Sequence, residues 1–395
     1  MRALGAGLLL VAVACTQKSS SRADAFALVD ATPAPVRAVA LYPAVRCAEC
    51  HGKMYDEWSG SAHARAQSSP LFVAMRARVD ARTCEPCHAP MASHADPTDP
   101  AGQEGVSCET CHRMVDASPR REGASFKLEL TDTVKYGPLC DAKNHYFHKM
   151  GCSPLHEEAR LCAACHLWFE PRPSGVAVPV YTEYEEWSSG PYASQNVDCQ
   201  DCHMPGEVAE VAAGSHERIG VPHHGLLARD GKLRKRALAL AVAVRDDQGR
   251  IHVEATVTNV GAGHAVPSGL PGRQVVLRVR TLDGHGTEVA RAERTYQRLL
   301  SDGGDGEVPF FAATRVGSDN RLQPKQAHVE SFDLAAPGAG ELRVELFWRA
   351  LSPGLASQLG VAPEEVALLA TRVPYGPPGA SGRRSLPGRP IQVRP

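Results

Sequence analysis

Five copies of one short unit limit what this chain can fold into: Cys47-x-x-Cys50-His51, Cys84-x-x-Cys87-His88, Cys108-x-x-Cys111-His112, Cys162-x-x-Cys165-His166 and Cys199-x-x-Cys202-His203. A Cys-x-x-Cys-His unit reads as a site of covalent c-type haem attachment. Both thiols add to the haem vinyl groups, and the adjacent imidazole is held beneath the iron. Zinc is the alternative, but zinc takes cysteine pairs in twos and needs no histidine after every second cysteine. Five pairs would also leave one without a mate. The expected cofactor is five covalently attached haems c. Their density explains the segment "RCAECHGKMYDEWSGSAHARA", residues 46–66, which has almost no continuous apolar run. A bound group supplies the core that the chain does not.

The rest of the composition sets the compartment. A formal charge of −1 gives no reason to expect a nucleic-acid partner. The N-terminus has Arg2 and then an apolar run from Ala3 to Ala14, too short to span a bilayer as a mature helix. It has the basic start, apolar centre and small-residue end of an export signal. The ending "AVAC" makes Cys15 a candidate lipidated first residue, as in a bacterial lipoprotein; ordinary cleavage nearby, giving a soluble periplasmic protein, is the other outcome. The expected location is therefore exported, periplasmic or outer-membrane. Of the thirteen cysteines, ten belong to the motifs and Cys15 is the lipid candidate, so Cys140 and Cys152 remain. In an oxidising compartment they can close a disulfide around "CDAKNHYFHKMGC", or stay as two buried thiols.

A chain of 395 residues accommodates two domains. Residues 1–14 read as the signal and 15–43 as a polar, proline-bearing tether. Residues 44–231 form the pentahaem module, expected to be mostly irregular with short helices. From about residue 232 the pattern changes to strict alternation: "ALALAVAVR", "IHVEATVTN", "QVVLRVRTL", "TEVARAERTY", "HVESFDL" and "ELRVELFW" read as strands divided by turn signals. Their spacing predicts an antiparallel, immunoglobulin-like sandwich over 232–373. Residues 374–395, "PYGPPGASGRRSLPGRPIQVRP", are expected to be a disordered tail.

Each motif histidine supplies one axial ligand, and the occupant of the second axial position decides between electron transfer and chemistry on a small molecule. Of seventeen histidines, twelve lie outside the motifs. His63 is the first distal candidate, since "YDEWSGSAH" can continue as a helix from the first motif, carrying Trp58 against a porphyrin. His148 and His156 precede the fourth motif. His216 and the pair His223–His224 follow the fifth. His264 sits in "NVGAGHAVPSGLPGRQVVL", whose glycines allow close backbone approach. It is either a ligand delivered across the domain boundary or a turn histidine bonded to a backbone carbonyl. His94 reads as exposed loop, Met204 as packing, and His252, His285 and His328 as solvated positions in strands or turns.

The stretches "YDEWSGSAH", "EGVSCETCHRM", "LCAACHLWFE" and "VDCQDCHMP" resemble the cytochrome c-552/c-554-like family of multihaem c-type cytochromes, which includes the tetrahaem electron acceptor of hydroxylamine oxidoreductase. The resemblance covers roughly residues 44–225, and it implies that His63 ligates another haem. A fifth haem and the added sheet region depart from that pattern, so the tetrahaem protein's partner does not transfer. The expected function is an electron relay between redox proteins, one donor and one acceptor, with a lipid anchor at Cys15 and no catalytic residue. The alternative is a reductase or oxidoreductase in which one open haem acts on a small nitrogen or sulfur compound. No phosphate loop, nucleotide fingerprint or hydrolytic triad signature is present.

Overall fold

Each attachment motif folds as about one turn of helix. The His51 N–H reaches the Cys47 carbonyl at 2.8 Å and the His166 N–H reaches Cys162 at 3.0 Å. Residues at i, i+3 and i+4 share a helix face, so both thiols and the imidazole point the same way. The computed structural model describes residues 41–227, 231–247, 249–376 and 391–393. The export segment, Cys15 and nearly all of the tether lie outside the described residues.

Through the motif region, short helices alternate with two-stranded pairings. Three pairings are antiparallel: Met114–Ala117 with Phe126–Leu128, Trp168–Glu170 with Val178–Tyr181, and Gly206–Glu210 with Glu217–Pro222. One, Val134–Gly137 with Lys149–Cys152, is parallel. Cys140 and Cys152 form a disulfide that closes the loop leading into this last strand. The helix after the first motif runs only Gly52–Ser59. The expected continuation to His63 does not occur, and His63 lies beyond Gly60 in a turn.

From Leu238 onward the chain builds two antiparallel sheets. The four-stranded sheet is ordered Ala327–Ala335, Arg250–Asn259, Leu238–Asp247, Ile391–Val393. The five-stranded sheet is ordered Arg315–Asp319, Glu288–Ser301, Gln274–Asp283, Gly340–Arg349, Glu365–Tyr375. Alternation does the work expected of it. Ile251, Val253, Ala255 and Val257 are buried along one face, and they share a core with Leu238, Leu240 and Val242 and with Val275, Leu277, Val344 and Leu346 of the other sheet. Three strands go beyond the expected set: Arg315–Asp319, wholly exposed, Glu365–Tyr375, and Ile391–Val393. The last two change the expected disordered tail, because Pro374 and Tyr375 finish a strand and Ile391–Val393 pairs with Leu240–Val242.

A second core joins the two regions. Met75 and Val180 of the motif region pack with Leu270, Leu351, Leu355 and Leu359. Leu355 and Leu359 belong to the helix Pro353–Leu359, which Ser352 caps by accepting the Leu355 N–H. Among the described residues no helix is long and apolar enough to cross a membrane.

Candidate haem-binding site

A continuous cavity of about 2350 Å³ runs through the motif region. That is more than twice the upper end of the ~300–1,000 Å³ of an ordinary small-molecule pocket. All five motif histidines line it.

The motif thiols meet in pairs across the chain. Cys47 lies beside Cys108, Cys87 beside Cys165, and Cys162 beside Cys199. The first attachment unit therefore adjoins the third, the second adjoins the fourth, and the fourth adjoins the fifth. Asp198 shows how one contact is built: it caps the fifth motif's helix, and its Oδ1 accepts the Ala159 N–H at 2.9 Å from the fourth. Gln200 adds bonds to the His156 and Glu158 carbonyls at 3.1 and 2.8 Å.

Three motif imidazoles are fixed by backbone carbonyls. Nδ1 of His51, His88 and His112 donates to Val211, Ala66 and Tyr136 at 2.5, 2.7 and 2.6 Å. Such a bond sets the tautomer and leaves the Nε2 lone pair for a metal. Tyr136 is itself held in place. Arg113, buried with Glu109 in an ion pair, donates to the Asp132 carbonyl at 2.7 Å, and Lys135 also pairs with Glu109.

Four motif histidines face a second histidine. Ring centres are 6.2 Å apart for His51–His148, 6.2 Å for His63–His166, 6.2 Å for His112–His224 and 6.4 Å for His203–His264. An iron bonded at about 2 Å to each of two nitrogens, each about 1.1 Å from its ring centre, separates the centres by about 6.2 Å. The residues present therefore fit an iron between each pair. Burial first, with neighbouring imidazoles adding, pushes His63 and His112 down to about 3 and His203 to about 4. These rings are neutral at pH 7, as a ligating imidazole must be.

The facing histidines come from distant parts of the chain. His63 follows the first motif and faces the fourth. Its turn is clasped by the third motif's approach, where the Val106 N–H donates to the His63 carbonyl at 3.0 Å and Trp58 Nε1 donates to the Val106 carbonyl at 2.8 Å. Gly105, at φ +73°, has no tolerated replacement, since a Cβ there would sit 2.4 Å from the His63 carbonyl oxygen. His148 comes from the disulfide-closed loop. His224 is set by Glu57, which accepts its backbone N–H at 2.7 Å. His264 comes from the sheet region.

The other candidates fall elsewhere. His216 is exposed and has no facing imidazole, which corrects its expected place among the iron ligands; the chain turns outward there into the strand Glu217–Pro222. His156 stacks 5.8 Å from His112, but its Nε2 bonds the Cys111 carbonyl at 2.9 Å. His223 accepts the Gly225 N–H at Nδ1. His94 and His285 are exposed, while His252 lies 3.7 Å from Asp333. His328 departs from the solvated reading, being half-buried edge-on to Tyr296. The close approach that the glycines before His264 allow is to protein neighbours. A Cβ on Gly263 would lie 3.3 Å from the Trp187 ring, and one on Gly261 would lie 2.5 Å from the Arg236 carbonyl oxygen.

Sequence reasoning missed Phe72. Its ring stacks 4.4 Å from His88, too close for an iron to lie between them, so it packs against the face of that imidazole; among the described residues no histidine ring faces His88 as one faces each of the other four motif histidines. Ser69 and Pro70 start its helix, Pro70–Arg76, with Ser69 accepting the Phe72 N–H. That pair signals a helix start but says nothing about which haem site the helix would cover. Among the described residues no group of three or more His, Cys, Asp or Glu side chains is placed to hold a bare metal ion.

Residues 46–113 match the family model for cytochrome c554 and c-prime. Among solved structures, a penta-heme cytochrome c552 from Thermochromatium tepidum aligns at TM-score 0.68 and 23% identity, over 85% of this chain and 99% of that one. That likeness shows a shared fold over most of both chains. A β-galactosidase structure from Bacteroides fragilis aligns at TM-score 0.18 and 15% identity, over 35% of this chain and 16% of that one, too weakly to inform the fold. No curated protein matches. The attachment motifs and the family match over residues 46–113 support a multihaem c-type cytochrome with a redox role, and the solved structure shares its fold.

Proposed function

We propose that this multihaem c-type cytochrome carries five covalent haems, four of them closed by histidine pairs, and relays electrons between redox proteins outside the cytoplasm. The observation that carries the reading is the set of four imidazole pairs at 6.2–6.4 Å. Bound haem c supplies reversible one-electron chemistry at its iron. His51 with His148, His112 with His224, His166 with His63, and His203 with His264 would each hold an iron from both faces. An iron so held would have no room for a substrate and would keep the same coordination in both oxidation states. The thiol contacts support two groups of neighbouring attachment sites, the third beside the first, and the fourth beside both the second and the fifth.

The wider organisation belongs to the same proposal. Residues 44–231 act as the haem module. Residues 232–373 form an immunoglobulin-like sandwich that delivers His264. Cys15 carries a lipid anchor on an exported chain, which suits the disulfide at Cys140–Cys152. The partners are an electron donor and an electron acceptor.

One observation favours a second reading for a single site. Among the described residues no histidine ring faces His88, whose imidazole packs against Phe72 instead. The Cys84–His88 attachment site would then keep one axial position free of protein ligands, where a small nitrogen or sulfur compound could bind. Low-temperature electron paramagnetic resonance tests both readings by counting low-spin and high-spin ferric haems. Four low-spin haems and one high-spin haem are expected. Two or more high-spin haems in the intact protein would overturn the four-pair assignment, and turnover of such a compound that added cyanide abolishes would make the second reading the main one.

A further inference from the structure

Resting on the reading of His203 and His264 as one axial pair, we infer that Glu186 is the positioning residue that holds His264 opposite His203. The helix Glu183–Ser188 belongs to the motif region, and it touches the segments that carry both partners of this pair. On one side, Trp187 Nε1 donates to the Val197 carbonyl at 2.8 Å, two residues before Cys199 opens the fifth motif. On the other, the Trp187 ring lies beneath Gly263, directly before His264. The backbone on both sides of the imidazole pair therefore rests on one indole.

Glu186 completes the clasp. Its Oε2 accepts the Ala265 N–H, directly after His264, at 2.9 Å. Its Oε1 accepts from Thr182 Oγ1 at 2.6 Å, from Arg321 Nη2 at 2.6 Å and from Arg298 Nη2 at 3.3 Å. Asp319 braces both guanidinium groups, taking Arg298 Nε at 2.8 Å and Arg321 Nε at 2.9 Å. The carboxylate is thus oriented by two buried arginines of the sheet region while it orients the turn that carries the ligand. Glu183 adds a parallel contact by accepting the Gly269 N–H. From the sheet side, buried Asn259 donates to the His264 carbonyl at 2.9 Å. The loop is gripped from both regions, and Glu186 is the grip from the motif side.

The carboxylate has no neutral substitute. Both of its oxygens accept, one from the arginines and one from a backbone N–H. A glutamine of the same shape must turn its amide NH2 towards one of those donors. With two cations demanding the oxygen, the NH2 faces Ala265, where two donors meet and the turn is pushed away.

The test uses Glu186→Gln, Glu186→Ala and His264→Ala in the full haem-loaded protein, read by electron paramagnetic resonance, by intact mass and by potentiometric titration. Haem count should stay at the parent value in all three. Glu186→Gln should convert one low-spin haem to high-spin or move its g-values, with a shift in the potential of that haem alone. Glu186→Ala, which leaves Ala265 unbonded but introduces no opposing donor, should perturb the same haem. Adding either change to His264→Ala should produce no further spectral change, since paired residues that act through one contact are not additive. If His264→Ala alters one haem and neither Glu186 variant does, Glu186 only packs the two regions together and the inference is overturned. If His264→Ala itself alters nothing, the ligand assignment of the proposed function fails instead.

Discussion

Replacing Cys140 and Cys152 together by serine should loosen His148 from the iron it is proposed to share with His51. The disulfide links residues twelve apart and closes the loop from which His148 projects. Cross-linking a loop of this length removes about 3 kcal/mol of chain entropy from the open ensemble. At 1.4 kcal/mol per tenfold, that is a ceiling of about 100-fold on the equilibrium between His148 bound and His148 released. Other contacts in the loop survive the change. Met150 N–H donates to Asn144 Oδ1 at 2.9 Å, Lys149 pairs with Asp132 at 3.2 Å, and Lys149–Cys152 still pairs with Val134–Gly137. These hold part of the loop, so a gain of about 10-fold to 100-fold is expected. The assay is cyanide titration of the ferric protein, followed in the Soret band. Cyanide must displace His148, so one haem should bind it more tightly by that factor, with His148→Ala setting the upper limit. A variant that binds cyanide within about twofold of the parent, while His148→Ala binds far tighter, would show that backbone pairing and not loop closure holds this ligand.

His63→Ala should leave the mass of the haem-loaded protein short by only the side-chain change, and should convert one low-spin haem to high-spin; an unaltered resonance spectrum would return His63 to a purely structural turn. Phe72→Ala should leave the low-spin count untouched and shift the potential of the His88 haem alone, because it frees the imidazole that the ring packs against, and an unchanged potential would mean that this ring does not hold the imidazole. Acid should uncouple the His264 turn. Burial raises Glu186, but Arg321 and the bonds from Thr182 and Ala265 outweigh it, so its folded pKa lies below the ordinary value. A depressed carboxylate contributes stability that is complete above its unfolded value, about 4.3, and is lost as pH falls through the folded value. Asp319 is depressed likewise, with Arg321 and Arg298 overcoming burial. The low-spin signal assigned to His203–His264 should therefore fade at pH below about 4, and a loss beginning near pH 7 would contradict this origin.

The sequence by itself determined where haem can be attached and where strands form, because both are local. Cysteine, cysteine and histidine at i, i+3 and i+4 share a face in any single helical turn, whatever surrounds them. Alternation in "IHVEATVTN" fixes which side of the strand meets a core, and Ile251 to Val257 are buried accordingly. The strand Arg315–Asp319 escaped because no apolar alternation marks an exposed edge strand, and Ile391–Val393 because a three-residue pairing gives too short a pattern to detect. The imidazole pairings are another matter. His63 faces His166 and His224 faces His112 across separations of about a hundred residues in chain position, and nothing within either segment encodes the partner. His216 and His224 stand eight positions apart in equally polar surroundings. Only the Glu57 contact, which holds the His224 backbone, and the outward course of Glu217–Pro222 separate the inward histidine from the exposed one. The same holds for the glycines beside His264. Their smallness was visible as a demand for close approach, but the neighbour that makes the demand, Trp187, comes from another part of the chain and could be named only once the chain had brought it there. Local propensity chooses the turn or strand; which side chains then oppose one another depends on how distant segments pack, and that choice was made by the tertiary structure.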